Sequence, residues 1–387
     1  MISSLARTSL IFLFTLLPIQ GQVFYLNNSY ASTSTGSLTA PFKTLEEAFS
    51  GIQAFITTNP NANITLYAAA TPQPYLLYNH LDLTGNSAIN LLIAGMTNTS
   101  SMQITQDPFS VPLVDQKTTN YSFPSHCYSA YPQILIQPNA TLSAGSIKLS
   151  SFGGVQIENI TAIVDSLNSS SSSQPAVFTA TASDPSNSFV NISNLCVSLA
   201  SQSPWTFLAA DSFSSLTVRN LSMQFSQTLN QNKNSQGIIR ILSNEKTRKI
   251  ITLSDIYIYS FPSSSNTTHG LINLLCGDAL HTISEVQVNR LFSQAFIPQF
   301  HLDVTAFTLS NLLISLYNTS SSITLPTSYN GFEISLLKGV QNLTIQNATL
   351  TGFNFTRGIV LFISTNVTPT YTQVSNVMLY DNVLGCT

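Results

Sequence analysis

The chain is 387 residues long, 43% apolar and only 7% charged, with a formal net charge of −3; an average globular protein is roughly 25% charged. There is no basic patch to gather phosphates, which excludes nucleic acid as a partner. Ser, Thr and Asn, together with attached glycans, are expected to supply the solubility that charge normally provides.

The first residues read as a secretory signal peptide. Arg7 gives a positive start, residues 10–17 an eight-residue apolar run, and residues 18–21 a Pro-led breaker ending in Gly21, after which cleavage is expected. The apolar run is too short to span a bilayer. No later stretch reaches eighteen uninterrupted apolar residues, so no transmembrane helix is expected in the mature chain. The protein is expected to be secreted, extracellular or held at the cell surface.

Beyond the leader, Thr44 and Glu47 have the spacing of a capping box. Leu45, Ala48, Phe49 and Ile52 follow at i, i+3, i+4 and i+7, so a helix with one apolar stripe is expected there. Next come strand-like alternations at Ile64-Thr-Leu66-Tyr67 and Ile89-Asn-Leu91-Leu-Ile93.

From residue 155 onward an imperfect repeat dominates. It reads apolar-x-apolar-x-Asn-apolar-x-apolar, as in Val155-Gln-Ile157-Glu-Asn159-Ile160-Thr-Ala162 and Leu216-Thr-Val218-Arg-Asn220-Leu221-Ser-Met223. The polar pivots are read as Asn159, Asn194, Asn220, Asp255, Glu285, Asn311, Asn347 and Asn376, with a mean spacing of 31. Both halves alternate with period two, the mark of strands buried on one face. At the pivot the phase breaks, which calls for a corner carrying a short polar side chain. A further strand, often opened by Gly, precedes each pivot, as at Gly237, Gly270, Gly331 and Gly358. Three short strands per 26 to 36 residues suit a solenoid whose repeats bury their inward faces only by stacking. A leucine-rich repeat has shorter and stricter periods, and a β-sandwich leaves a fixed pivot unexplained.

The segment Tyr25-Leu-Asn, followed by Gly36-Ser-Leu-Thr-Ala-Pro41-Phe42-Lys43-Thr44-Leu45-Glu-Glu-Ala48, resembles the start of pectate-lyase-like right-handed β-helix proteins. The resemblance implies an all-β, right-handed parallel β-helix whose open N-terminal end is covered by the capping helix. The expected organisation is a signal peptide at 1–21, a strand, loop and capping helix at 22–60, and the β-helix proper at 61–387. A fold of this kind implies little about activity, because it hosts lyases, hydrolases, adhesins and rods.

Four cysteines, Cys127, Cys196, Cys276 and Cys386, are widely spaced and form no Cys-x-x-Cys; three pairings are open. Fifteen Asn-x-Ser/Thr sequons are present. Twelve are candidate glycan acceptors: Asn27, Asn63, Asn98, Asn120, Asn139, Asn168, Asn191, Asn266, Asn318, Asn342, Asn354 and Asn366. The remaining three, Asn159, Asn220 and Asn347, are pivots. With Asn194, Asn311 and Asn376 they are expected to stack as a ladder of side-chain amides, and a buried amide cannot carry a glycan.

No catalytic set is recognised, and no metal site or cofactor is expected. Asp184, Asp211, Glu245, Asp278 and Asp303 each follow the second strand of successive repeats and would form a loose column. Stacked carboxylates repel and invite a cation or shifted pKa values, but solvated turn residues are the preferred reading. The expected function is non-enzymatic binding of carbohydrate or a surface ligand. A polysaccharide lyase or glycoside hydrolase and a structural wall component are the alternatives. The last repeat has no polar cap after it, so a downstream cap or anchor is expected to be missing.

Overall fold

A computed structural model describes residues 21–384 apart from 98–106, 116–118, 120, 138–144, 165–175, 183, 185, 200–205, 226–238, 243–248, 261–267, 275–283, 295, 303, 319–320, 326–331, 337–340, 356–360 and 366–368. The signal peptide expected at 1–21 lies almost entirely outside the described residues. The fold is mostly β and is organised around long parallel sheets, an arrangement consistent with an all-β solenoid.

The two largest sheets among the described residues have thirteen and nine strands. The nine-stranded sheet runs from His80–Thr84 through Ser146–Phe152 to Leu361–Thr365, every pair parallel. The larger sheet contains the eight long strands that carry the pivots, among them Gly154–Val164, Phe189–Leu199 and Ser215–Phe225. The chain alternates between the two sheets, and successive repeats lie side by side in register.

Each long strand bends where the pivot adopts a left-handed backbone. Asn159, Asn194, Asn220, Asp255, Arg290, Asn311, Asn347 and Asn376 have φ between 51° and 59°. Asn and Asp tolerate this region because their short side chains bond locally, whereas most L-residues lose about 1–2 kcal/mol there. One pivot corrects the expectation from sequence: it is Arg290, not Glu285. Glu285 pairs with Ile250 and Ala306, a full half-strand ahead of the corner. The inward column just past the corner therefore runs Ile160, Leu195, Leu221, Ile256, Leu291, Leu312 and Ala348, all at most 2% exposed. Val286 is buried too, but it belongs to the column before the corner, beside Ile251 and Phe307.

The helix at Leu45–Thr58, here α1, begins as expected. Thr44 Oγ1 accepts from the Glu47 N–H at 3.2 Å. The return bond reaches one residue further back than in the usual box, with Lys43 N–H donating to Glu47 Oε2 at 2.9 Å. Leu45, Ala48, Phe49, Ile52 and Ile56 are buried and join the main core beside Phe24, Leu26 and Leu66. At the other extreme, the strand Tyr371–Tyr380 exposes Val374 (46%) and Leu379 (54%), although their register partners Ile345 and Leu350 are fully buried.

A second apolar cluster lies outside the stacked sheets. Two residues past each corner the side chain points outward, yet Thr161, Cys196, Ser222, Tyr257, Phe292 and Leu313 are all at most 4% exposed. They are covered by the described residues of a strap at 107–131, between the strands Asn90–Met96 and Gln133–Ile136, which brings Tyr121, Phe123, Cys127 and Tyr131 onto them.

Candidate functional site: the strap and its cleft

The strap is held along its whole described length. Cys127 is disulfide-bonded to Cys196, and Thr161 Oγ1 donates to the Cys127 carbonyl. Further along the stack, Tyr128 Oη donates to Gln224 Oε1 at 3.1 Å. The Phe123 ring meets Tyr259 edge-on, and Tyr121 packs on Phe292 with centroids 4.8 Å apart. Moving backward in sequence from 127 to 107 thus means moving forward along the repeats. Each ring taken fully from water contributes roughly 1.5–3 kcal/mol, which explains how a segment with little regular structure stays docked.

The far end is fixed by charge. Asp107 caps the short 3-10 turn Pro108–Ser110 through its side chain and accepts from Arg290 Nη2 at 2.9 Å. Arg290 Nε lies 3.0 Å from Asp255 Oδ1, and the guanidinium stands 5.1 Å from the centre of the Phe109 ring. Burial alone pulls the Arg290 pKa down, but its bonds to Asp107 and Tyr257 outweigh this and leave it raised. The strained pivot is therefore compensated by two carboxylates and a ring.

Where the strap ends, a cleft of about 610 Å³ opens. Pro108, Phe109, Val111 and Pro112 form its overhang, while Asn311, Asn347, Leu313, Thr349 and Met378 form its floor. Among the described lining residues the only charge is Arg290, which is already paired. The remaining polar groups are the Asn311 and Asn347 amides and the Ser110 and Thr349 hydroxyls, set among Phe109 and aliphatic side chains. Such a lining can hydrogen-bond a neutral polyhydroxylated ligand and pack against its apolar face.

The floor amides belong to the ladder. Asn194 Nδ2 donates to Asn159 Oδ1 and Asn220 Nδ2 to Asn194 Oδ1, both at 3.0 Å. Past Arg290 the chain resumes with Asn311 donating to Asn289 (2.8 Å), Asn347 to Asn311 (3.2 Å) and Asn376 to Asn347 (3.0 Å). Asn289, the residue before the irregular pivot, supplies the acceptor that the corner itself lacks.

The acidic residues singled out from sequence are only partly visible. Asp184 accepts from the Ser186 hydroxyl and N–H and from Asn187, and these bonds, the hydroxyl first, lower its pKa. Asp211 closes the strand Leu208–Asp211 opposite Thr181 and Leu242. Asp184 therefore lies three residues beyond the position level with Asp211. Glu245, Asp278 and Asp303 lie outside the described residues. No group of three or more metal-binding side chains occurs among the described residues.

One arrangement went unnoticed in the sequence because Ser146 lies 66 residues from its partner His80, on a neighbouring strand. His80 Nδ1 bonds Ser146 Oγ, and His80 Nε2 sits 3.0 Å from Asp82 Oδ1. This happens beside a cleft of about 540 Å³ against α1. Ser146 is 1% exposed, so no carbonyl can reach its hydroxyl. The trio ties two strands together and is not built as a nucleophile.

Among the sequons, the Asn342 side chain is exposed and that of Asn191 half-buried. Asn27 accepts from the Ser29 N–H, and Asn63 accepts from the Asn90 N–H at 3.0 Å. Asn318 and Asn354 lie in the strands Tyr317–Asn318 and Phe353–Phe355. Asn98, Asn120, Asn139, Asn168, Asn266 and Asn366, like Cys276 and Cys386, lie outside the described residues. Set against models of known families, curated proteins and solved structures, the chain matches none.

Proposed function

We propose that this chain is a secreted, N-glycosylated, right-handed parallel β-helix of the pectate-lyase-like kind. In this reading α1 covers its N-terminal end, and the protein works outside the cell by binding neutral carbohydrate without cleaving it. The observation that carries the reading is the strap cleft, where paired charge, neutral amides and Phe109 line one open volume. The parallel register of the repeats and the burial of the α1 stripe support the fold assignment.

The test is a glycan array probed with the secreted protein, combined with a screen for new reducing ends on common polysaccharides. Neutral oligosaccharides should be retained, Phe109→Ala should weaken that retention about tenfold or more, and no new ends should appear. Turnover abolished by Asp211→Asn would instead favour a carbohydrate-active enzyme. Retention of no glycan at all would remove the reading.

A further inference from the structure

The outward side chains of the long strands ahead of the corner form columns fixed by register. One column runs from Gln156 through Asn191, Thr217, Thr252 and Gln287 to Gln373, and all eight of its members carry uncharged amides or hydroxyls. The next column runs from Glu158 to Ser375, and its only charges, Glu158 and Arg219, are opposite in sign. The pivot amides form a third column along the edge, and the strap cleft opens on Asn311 and Asn347 of that edge. Followed the other way, the second column leads through Ala94 to Tyr67 and Tyr25, whose ring centroids lie 5.9 Å apart.

We propose that this face docks an extended, uncharged polysaccharide whose chain runs along the stacking direction. The proposal rests on the carbohydrate-binding reading above and adds to it the class and orientation of the ligand. Donors and acceptors recur here at the interstrand spacing of about 4.8 Å. Any single exposed group competes with water and holds little. A ligand that itself repeats engages many such groups at once, and each added contact forms within one already bound molecule. The threonines are stiff at χ1, so ordering them costs little. Charge selects the ligand: in these two columns Glu158 and Arg219 are opposite in sign, and Glu285, two residues before Gln287 on the same face, adds one anion, so no run of cations is there to hold a polyanion. The two tyrosines at the N-terminal end offer ring faces for sugar stacking.

The experiment is co-sedimentation of the secreted protein with cellulose and chitin, and with polygalacturonate and alginate as polyanions. Soluble neutral oligosaccharides are measured in parallel. The wild type should partition onto the uncharged polymers. The double variant Gln287→Lys with Thr308→Lys should partition at least tenfold more weakly, while Thr308→Ser binds as the wild type does. Oligosaccharide binding should survive in the double variant, which also shows that it is folded. Equal polymer binding by the double variant, preference for the polyanions, or retention of soluble oligosaccharides alone would each overturn this inference and leave the carbohydrate-binding reading standing. Retention of neither polymers nor oligosaccharides would remove both.

Discussion

Asp107 and Arg290 are 183 positions apart in sequence and 2.9 Å apart in the fold. The contact joins the far end of the strap to the one corner whose pivot is neither Asn nor Asp. Arg290→Asn should therefore separate two roles. Asn suits the left-handed backbone better than Arg, so the corner should hold. The ion pair is partly exposed, so global stability should change by only about 0.5–1 kcal/mol. Limited proteolysis should nevertheless cut within 107–115 markedly faster than in the wild type. Unchanged cutting would show that the aromatic contacts alone hold that end.

The other end depends on the Cys127–Cys196 bond, which closes a loop of sequence separation 69. Replacing both cysteines by Ala should cost about 2–4 kcal/mol in denaturant unfolding. The same variant should admit water to Tyr257 and Phe292, seen as a change in intrinsic fluorescence.

Asn194 gives and receives one ladder bond at φ 51°. Asn194→Ala should lose both bonds and add left-handed strain, together about 2–3 kcal/mol. Asn194→Gly accepts the backbone freely and should recover about half of that loss. Equal destabilisation by the two variants in thermal melts would mean that the corner backbone is unstrained.

Tyr75 is buried and shares its single hydroxyl proton between the Leu26 and Ala69 carbonyls, 3.0 and 2.8 Å away. Burial pushes its pKa from 10.0 up to about 12. The folded state holds the proton more tightly than the unfolded chain, so this stabilisation is whole at neutral pH. It should fade as pH rises from 10.0 towards about 12. Tyr75→Phe should cost about 1–3 kcal/mol at pH 7 and flatten this part of the alkaline stability profile.

Glycan occupancy should follow the corners. The sequon hydroxyls of Asn159 and Asn220 are Thr161 and Ser222, both fully buried under the strap, and both amides are engaged in the ladder. Site-resolved mass spectrometry of secreted protein should find these two, and Asn347, unmodified, and Asn342 occupied.

Most of the stacked architecture was legible because burial of alternate residues leaves a period in the sequence. Thr44 and Glu47 announced α1, and seven of the eight corners carry the Asn or Asp that a left-handed residue favours. The eighth was misread because Arg290 breaks the composition rule, and its reason for being there, Asp107, lies far away in sequence. The strap was not legible at all. It covers outward positions that are Thr161 and Ser222 in two repeats and Tyr257 and Phe292 in two others, so neither partner shows a period. The cleft inherits that opacity, since five of its twelve lining residues are strap.

The direction of the strap has a consequence for how the molecule is made. Residues 107–131 leave the ribosome before nearly every strand they will cover, and at roughly 5–20 residues per second Leu313 follows Cys127 by roughly 10–40 s. During that interval each new repeat adds one more landing place, and the partners of Phe123 and Tyr121, Tyr259 and Phe292, come late. The disulfide partner Cys196 arrives first and Arg290 only later. Assembly therefore closes like a zip fastened at the early end, with the Asp107 contact as its final stop.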